Sequence, residues 1–214
     1  MTVHPNQDKK RWQRPTRGVV GTLTRRSRRH VEAQNRRRAG TAWVRRSPRN
    51  GAHDQHLGVL CLAGRVFPCA LGRGGVSSRK REGDGATPRA AMRVLTRYAR
   101  PDRTWQRPAS WTPIRSTMGW CDAPFTANYN RPINLPWHGS HEVLLRHDAL
   151  YDRIIVLDWN ITCRVHGRGS AIFFHQARVT GAKLQPTEGC IALPPQTMRK
   201  LVPILERLER LVVV

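Results

Sequence analysis

Acidic side chains are scarce in this sequence, which has 14 Asp and Glu against 38 Lys and Arg and therefore a formal net charge of +24. Such a basic balance attracts polyanions, including nucleic acid, acidic lipid headgroups and anionic wall polymers. The charge is uneven along the chain, because residues 1–50 hold fifteen Lys and Arg against Asp8 and Glu32 alone. This first segment carries more than half of the net charge on less than a quarter of the chain.

Long apolar runs are also missing. The longest candidates, LGVLCLAG (57–64) and IIVL (154–157), fall far short of the roughly 20 residues that a membrane-spanning helix needs. The charged N-terminus is not followed by the apolar stretch of a secretory signal. The sequence alone therefore predicts neither a transmembrane segment nor an export signal.

Paired cysteines are absent as well. None of the five cysteines forms a C-x-x-C pair, and no two histidines have zinc-finger spacing, so we expect no metal site. An odd number of cysteines in a chain of this size argues against a disulfide framework.

The first 40 residues differ from the remainder in composition. They are rich in Arg and turn-forming residues and poor in large apolar ones, so they cannot bury enough surface to offset the entropy of ordering. We predict a disordered basic leader over residues 1–40 and one folded domain over residues 41–214. The leader is expected to make non-specific polyanion contacts through its arginines.

The rest of the chain is dominated by short β-prone runs, which predict a mostly β fold. The clearest are TAWVRR (41–46), GVLCLAGRVFPCALG (58–72), YDRIIVLDW (151–159), GSAIFFHQA (169–177) and LVVV (211–214). The unbroken AIFF core of the fourth run predicts a strand covered on both faces. Residues 100–140, rich in Pro and Trp, are predicted to be irregular.

One helix is predicted near the C-terminus. Pro194 and Pro195 are suited to its start, where a missing N–H does no harm. Apolar residues then follow helical spacing at Met198, Leu201, Val202 and Leu205. Pro203 predicts a kink or an end nearby.

Cys190, in QPTEGCIALPP (185–195), raises the question of catalysis. A cysteine attacks carbonyls as its thiolate, which needs a base within hydrogen-bond reach and donors for the oxyanion. His175 at the end of a predicted strand can supply the base, because Gly181, Pro186 and Gly189 let the chain fold back. Spacing alone leaves open a buried cysteine and a buried structural histidine.

The longer pattern GRGSAIFFHQA…PTEGCIAL resembles the L,D-transpeptidase catalytic domain (YkuD-type) family, in which a strand ending in His precedes a Gly-Cys motif. FPCALGRGG, KREGDGATP and MGWCDAP are similar to segments that precede the catalytic strand in one branch of that family. The resemblance runs from about residue 41 to the C-terminus.

The resemblance implies a mostly β, sandwich-like domain that transfers acyl groups on peptidoglycan stem peptides without a metal or organic cofactor. Cys190 would be the nucleophile and His175 the general base, with its ring oriented by a backbone carbonyl, that of Gln176 being the candidate. The amides of Gly189 and Cys190 would form the oxyanion hole. The donor would lose D-Ala and leave an acyl-enzyme, which an amine or water then resolves.

The residues expected to contact the substrate are Arg168, Ser170, Gln176, Thr187 and Glu188. Three departures from the wider family stand out. Glu188 occupies the position before Gly-Cys where many members have His, and Ala192 lies where many have Arg. In addition, GATPRAAM lacks a glycine soon after its proline. A carboxylate beside the thiol would raise its pKa unless it is turned away or paired with Arg168, Arg178 or Lys183.

Other chemically reactive side chains are interpreted as structural. His166 is expected on a surface loop and Asp84 in a turn. Cys61, Cys69, Cys163 and Cys121 are expected to fill the interior, as are the tryptophans at 105, 111, 120 and 137.

Two other functions compete with the enzyme: a polyanion- or nucleic-acid-binding protein that acts through the basic leader, and an inactive wall-binding module. The resemblance alone places the protein in the periplasm or cell envelope, because its substrate lies there.

Overall fold

The computed structural model describes residues 40–47, 54–103 and 107–214. The leader predicted over residues 1–40 lies outside these ranges except for Gly40. Trp105 also lies outside them. Gly40 leads directly into the first strand, and its carbonyl accepts hydrogen bonds from the backbone N–H groups of Glu209 and Arg210.

Strands dominate the described residues, in which one helix, α1, is present. The strands are β1 (Thr41–Arg46), β2 (Leu57–Leu62), β3 (Arg65–Ala70), β4 (Val76–Ser77), β5 (Thr87–Pro88), β6 (Ala91–Ala99), β7 (Thr112–Pro113), β8 (Met118–Cys121), β9 (Arg131–Asn134), β10 (His141–Val143), β11 (Arg153–Leu157), β12 (Phe173–Gln176), β13 (Val179–Thr180), β14 (Lys183–Leu184), β15 (Ile191–Leu193) and β16 (Arg210–Val213), and α1 is Pro195–Leu205. The mostly β fold with a helix near the C-terminus is therefore confirmed.

Most strands belong to one sheet that closes on itself. Its order is β11-β12-β15-β3-β2-β1-β16-β6-β7, and β6 also pairs with β11. The long strand β6 makes this closure possible, since its first residues pair with β16 and the remainder with β11. The opposing layers expected of a sandwich are thus parts of one continuous sheet. Its closure pairs the backbone N–H and C=O groups of strands that would otherwise be open edges.

Two apolar cores lie on opposite faces of the strands that carry the Cys and His. The larger core takes side chains from all eight strands of the closed ring and from α1. The smaller core contains Trp120, Tyr151, Phe173 and Cys190. Phe173 and Phe174 are fully buried in different cores, which confirms the prediction that the AIFF strand is covered on both faces.

Helix α1 packs against the larger core with the predicted face. Its buried residues are Met198, Leu201, Val202 and Leu205, and the helix ends two residues after Pro203. The backbone N–H of Glu206 bonds to the Val202 carbonyl at 2.9 Å, so the chain leaves the helix in a regular turn before β16.

Two features were not predicted from the sequence. Strand β6 has charged residues, Arg93 and Arg97, among its apolar ones, which weakens the alternation that signals a strand. The segment predicted to be irregular contains a three-stranded antiparallel sheet in the order β10-β8-β9. This small sheet places Trp120 against Phe173, with ring centroids 5.3 Å apart.

Phe174→Ala tests the larger core. Removing a fully buried ring leaves a cavity, and we expect the free energy of unfolding to fall by about 3–5 kcal/mol. Phe125→Ala is the matched control, because its ring is 93% exposed and its loss should change stability by less than about 0.5 kcal/mol. Urea unfolding followed by tryptophan fluorescence measures both, and equal effects would contradict the assignment of the core.

Candidate active site

Parallel pairing of β12 with β15 brings the predicted nucleophile and base to adjoining strand ends. Phe174 pairs with Ile191 and His175 with Ala192, so extending the register by one residue puts Cys190 opposite Phe173. Side chains alternate along a strand and paired residues share a face. Cys190 and His175 therefore lie on the same face of the sheet, with the Phe174–Ile191 pair between them.

Both side chains line one cleft, with a volume of about 510 Å³. Its walls combine apolar, acidic and basic groups from six parts of the chain. The lining residues are Glu82, Gly83, Asp122, Glu142, Arg146, Leu150, Tyr151, Ser170, Ala171, Ile172, His175, Arg178, Gln185, Pro186, Thr187, Glu188 and Cys190. A cleft of this size can hold part of a peptide.

The Cys190 sulfur is held between two main-chain groups. The thiol donates to the Ala171 carbonyl at 3.3 Å, and the Phe173 N–H donates to Sγ at 3.3 Å. Burial raises the pKa of the Cys190 thiol to about 12, while the Phe173 N–H opposes that rise. Burial thus favours the neutral thiol over the thiolate.

His175 is fixed by its neighbour in the chain. Its Nδ1 lies 2.7 Å from the Gln176 carbonyl oxygen, and because a carbonyl only accepts, Nδ1 carries the proton and Nε2 is left as the acceptor. This is the carbonyl contact that the family resemblance implied. Burial lowers the pKa of His175 to about 4, against the opposing effect of the Gln176 carbonyl. The imidazole is therefore neutral, with Nε2 unprotonated.

Tyr151 forms one wall beside the imidazole. Its ring stands edge-on to His175 with centroids 5.2 Å apart and also contacts Phe173 edge-on at 6.0 Å. Its hydroxyl lies 3.4 Å from a Glu142 carboxylate oxygen, and the Arg146 guanidinium lies 5.2 Å from the ring centroid. These contacts restrict the rotation of the histidine ring.

The turn before Cys190 is held by Thr187. The Thr187 hydroxyl donates to the Cys190 carbonyl at 2.7 Å and accepts from the Gly189 N–H at 3.2 Å. Gly189 has a φ of +135°, and a Cβ there would lie 2.8 Å from the Ala86 carbonyl oxygen. Both the backbone angle and the lack of space require glycine.

The structure brings together some of the predicted substrate contacts and not others. Ser170, Thr187 and Glu188 line the cleft. Gln176 does not: it is buried, and its side-chain amide donates to the Ala149 carbonyl. Arg168 is exposed and lies outside the cleft wall, because its main chain is held in a turn by Val165 and Trp159.

The negative charge of Glu188 is balanced by a partner that was not predicted from the sequence. Its carboxylate forms an ion pair with Arg73, rather than with Arg168, Arg178 or Lys183. Both side chains are more than half exposed. Glu188 raises the Cys190 thiol pKa less than burial or Glu142 does.

Most of the side chains that were interpreted as structural lie where they were predicted, on the surface, in a turn or in the interior. His166 is exposed and stacks on Tyr129. Asp84 accepts from the Arg81 and Ala86 N–H groups at 2.7 and 2.8 Å, which confirms its role in a turn. The remaining predicted residues differ in burial: Cys69, Cys121, Trp111 and Trp120 are buried, Cys61 and Trp137 are half-buried, and Cys163 is exposed. The prediction for Cys163 is wrong because it lies in a turn rather than a strand.

Four charged cleft residues were missed from the sequence: Glu82, Asp122, Glu142 and Arg146. Arg178, considered from the sequence only as a possible partner for Glu188, also lines the cleft. Arg146 bonds to both oxygens of Asp148 at 2.9 Å, whereas Arg178 reaches Asp148 only at 3.5 Å. Glu142, Arg146 and Arg178 lie in none of the segments that resemble the family, and tertiary packing alone brings them to the cleft.

Comparisons with known proteins identify the class. A family model described as the L,D-transpeptidase catalytic domain (YkuD) matches residues 53–214, about three quarters of the chain. The chain belongs to this family, whose members act on peptidoglycan.

A solved structure, an L,D-transpeptidase from Mycobacterium smegmatis, is similar with a TM-score of 0.34 and 14% sequence identity. The similarity covers 81% of this chain and 58% of that one, so this chain spans less than two thirds of its length. Among curated proteins no match was found.

Gly189→Ala tests the turn. We expect a loss of about 1–3 kcal/mol in unfolding free energy from backbone strain alone, with additional displacement of the nucleophile by the contact with Ala86. Gly181→Ala is the control, since it has φ +59° but nothing within 4 Å of the added carbon. The melting temperature and the rate of Cys190 alkylation are measured for both variants. If Gly181→Ala lowers both quantities as much as Gly189→Ala does, close packing is not the reason for glycine at position 189.

Proposed function

We propose that this chain is a cysteine L,D-transpeptidase acting on peptidoglycan stem peptides. The observation that carries the proposal is the placement of Cys190 and His175 on one face of one cleft, with the imidazole held by Gln176 so that Nε2 is the acceptor. Family membership supports the same chemistry.

The reaction begins from a neutral pair. As Cys190 Sγ attacks the carbonyl carbon between the third, diamino-acid residue and the terminal D-Ala, its proton passes to His175 Nε2. The carbonyl oxygen becomes an oxyanion, for which the Cys190 and Gly189 N–H groups are the proposed donors. The 3.2 Å bond from Gly189 to Thr187 is the contact that the oxyanion would replace.

Collapse of the tetrahedral intermediate breaks the C–N bond. The His175 imidazolium gives its proton to the departing nitrogen, so D-Ala leaves as an amine and a thioester to Cys190 remains. An acceptor amine then attacks the thioester, His175 takes its proton, and the proton returns to the sulfur as the new amide forms. Water in place of the amine gives a carboxypeptidase outcome.

The site of action proposed for such an enzyme is the cell envelope, where the substrate lies. Within the described residues, no helix has the length and apolarity needed to cross a membrane.

Arg178 is the proposed partner of the donor's terminal carboxylate. It lines the cleft, its guanidinium is 62% exposed, and its contact with Asp148 is long, so little competes with an incoming anion. Arg146 is less available, because Asp148 binds it through two bonds and Tyr151 packs against it. Arg168, which was expected from the sequence to contact the substrate, does not line the cleft.

Cys190→Ala tests the reaction. We expect release of D-Ala from a tetrapeptide donor to be abolished, and His175→Ala to reduce it by about 100-fold or more. Cys163→Ala and His166→Ala are matched controls on exposed residues and should retain full activity. Mass spectrometry of the trapped acyl adduct assigns the thioester. Undiminished release by Cys190→Ala contradicts the proposal, and binding without release by the unaltered chain favours a wall-binding module.

Arg178→Gln tests carboxylate recognition. Loss of a charge-assisted hydrogen bond should raise KM for the tetrapeptide about tenfold. A donor ending in D-alaninamide, which lacks the carboxylate, should have nearly the same KM with both forms of the enzyme. Arg168→Gln is the control and should behave as the unaltered chain. An equal loss for the acid and amide donors would show that Arg178 does not bind the carboxylate.

A further inference from the structure

Asn130 is a buried polar residue that the reaction scheme does not use. It precedes β9, is 1% exposed and has a left-handed backbone with φ +55°. Its N–H donates to the Cys121 carbonyl at 2.8 Å. A buried carboxamide is stable only when its donors and acceptors are satisfied.

The Asn130 carboxamide makes four hydrogen bonds to four other residues. Oδ1 accepts from the Trp120 indole N–H at 2.9 Å and from the Ala171 N–H at 3.0 Å. Nδ2 donates to the carbonyls of Trp159 and Asn160 at 3.0 and 2.8 Å. Asn130 thus ties the small sheet and the segment after β11 to the segment that leads into β12.

Ala171 is the link from Asn130 to the nucleophile. It has a left-handed φ of +50°, which an alanine adopts only when its surroundings hold it there. Its N–H bonds to Asn130, while its carbonyl accepts the Cys190 thiol at 3.3 Å. Two residues further on, the Phe173 N–H donates to the same sulfur.

We propose that Asn130 is a positioning residue for the nucleophile: its carboxamide holds the Ala171 turn, so that the main-chain groups of residues 171 and 173 orient the Cys190 sulfur. Asn130 does not touch the reacting atoms and acts through the backbone. Trp120 supports the arrangement twice, by its bond to Oδ1 and by packing against Phe173. The inference rests on the proposed function in taking Cys190 as the nucleophile.

Asn130→Gly and Asn130→Asp separate the backbone from the side chain. Glycine keeps the left-handed backbone accessible and removes the carboxamide, whereas aspartate keeps an acceptor in place of Oδ1. The measurement is the second-order rate of Cys190 alkylation by iodoacetamide at pH 8 in the full chain, followed by mass spectrometry of the Cys190 peptide. Thermal unfolding, and kcat and KM for D-Ala release, are measured alongside.

Loss of the aligned Phe173 N–H should destabilise the thiolate. We expect Asn130→Gly to lower the alkylation rate and kcat about tenfold with KM nearly unchanged, and Asn130→Asp to fall between glycine and the unaltered chain. Asn160→Gly is the control: Asn160 also has a left-handed φ, +51°, and the variant keeps the carbonyl that accepts from Asn130. It loses only a side chain that bonds to Val165 and Gly169. It should lower the melting temperature and leave alkylation unchanged.

A folded Asn130→Gly chain with unchanged or faster alkylation would overturn the proposal, because a purely structural residue gives that result. If the glycine variant does not fold, the aspartate variant carries the test, and a rate equal to that of the unaltered chain overturns the proposal as well. Alkylation does not require turnover. Absence of D-Ala release by the unaltered chain would therefore end the proposed function without deciding the role of Asn130.

Discussion

The register between β12 and β15 is the constraint on which the site depends. Phe174 and Ile191, paired and fully buried in the larger core, fix that register. A slip of one residue would reverse the faces of one strand relative to the other and turn Cys190 toward the larger core, away from His175. Because the two strands are parallel, the chain between them must travel the length of a strand, and it does so through the β13–β14 hairpin. The geometry of the site is thus set by core packing.

Burial has opposite effects on two parts of the site. Burial favours the neutral forms of both Cys190 and His175, because desolvation raises the pKa of the thiol and lowers the pKa of the imidazole. A preformed thiolate–imidazolium pair is therefore disfavoured. In the proposed reaction, the same low dielectric would strengthen hydrogen bonds to the oxyanion that develops during attack. Such a site would stabilise charge mainly when the substrate carbonyl is present to receive it.

The sequence predicts well what is encoded locally or by a motif. The helix face at residues 198–205, the doubly covered strand and the His175–Gln176 contact are examples, because neighbours in sequence determine them. Arg168 and Cys163 were misplaced since a loop side chain's direction depends on the turn that carries it. Arg146 and Tyr151 were not predicted as site residues, because the fold alone brings them beside His175. Strand β6 was missed because tertiary pairing on both sides compensates for its charged residues.

The Glu188–Arg73 pair explains how a carboxylate can stand two residues before the nucleophile. Arg73 belongs to the glycine-rich loop after β3, and its N–H donates to the Thr187 carbonyl at 2.8 Å, so loop and nucleophile turn are joined by the backbone as well as by the ion pair. The pair is exposed, and an exposed pair contributes little to stability. Its significance is electrostatic: a neutralised Glu188 at the rim adds little to the burial that already holds the Cys190 pKa high. Salt screens the Arg73–Glu188 ion pair but has little effect on the hydrogen bond between the Arg73 N–H and the Thr187 carbonyl. The position of the turn should therefore depend less on ionic strength than the interaction between the two charged side chains does.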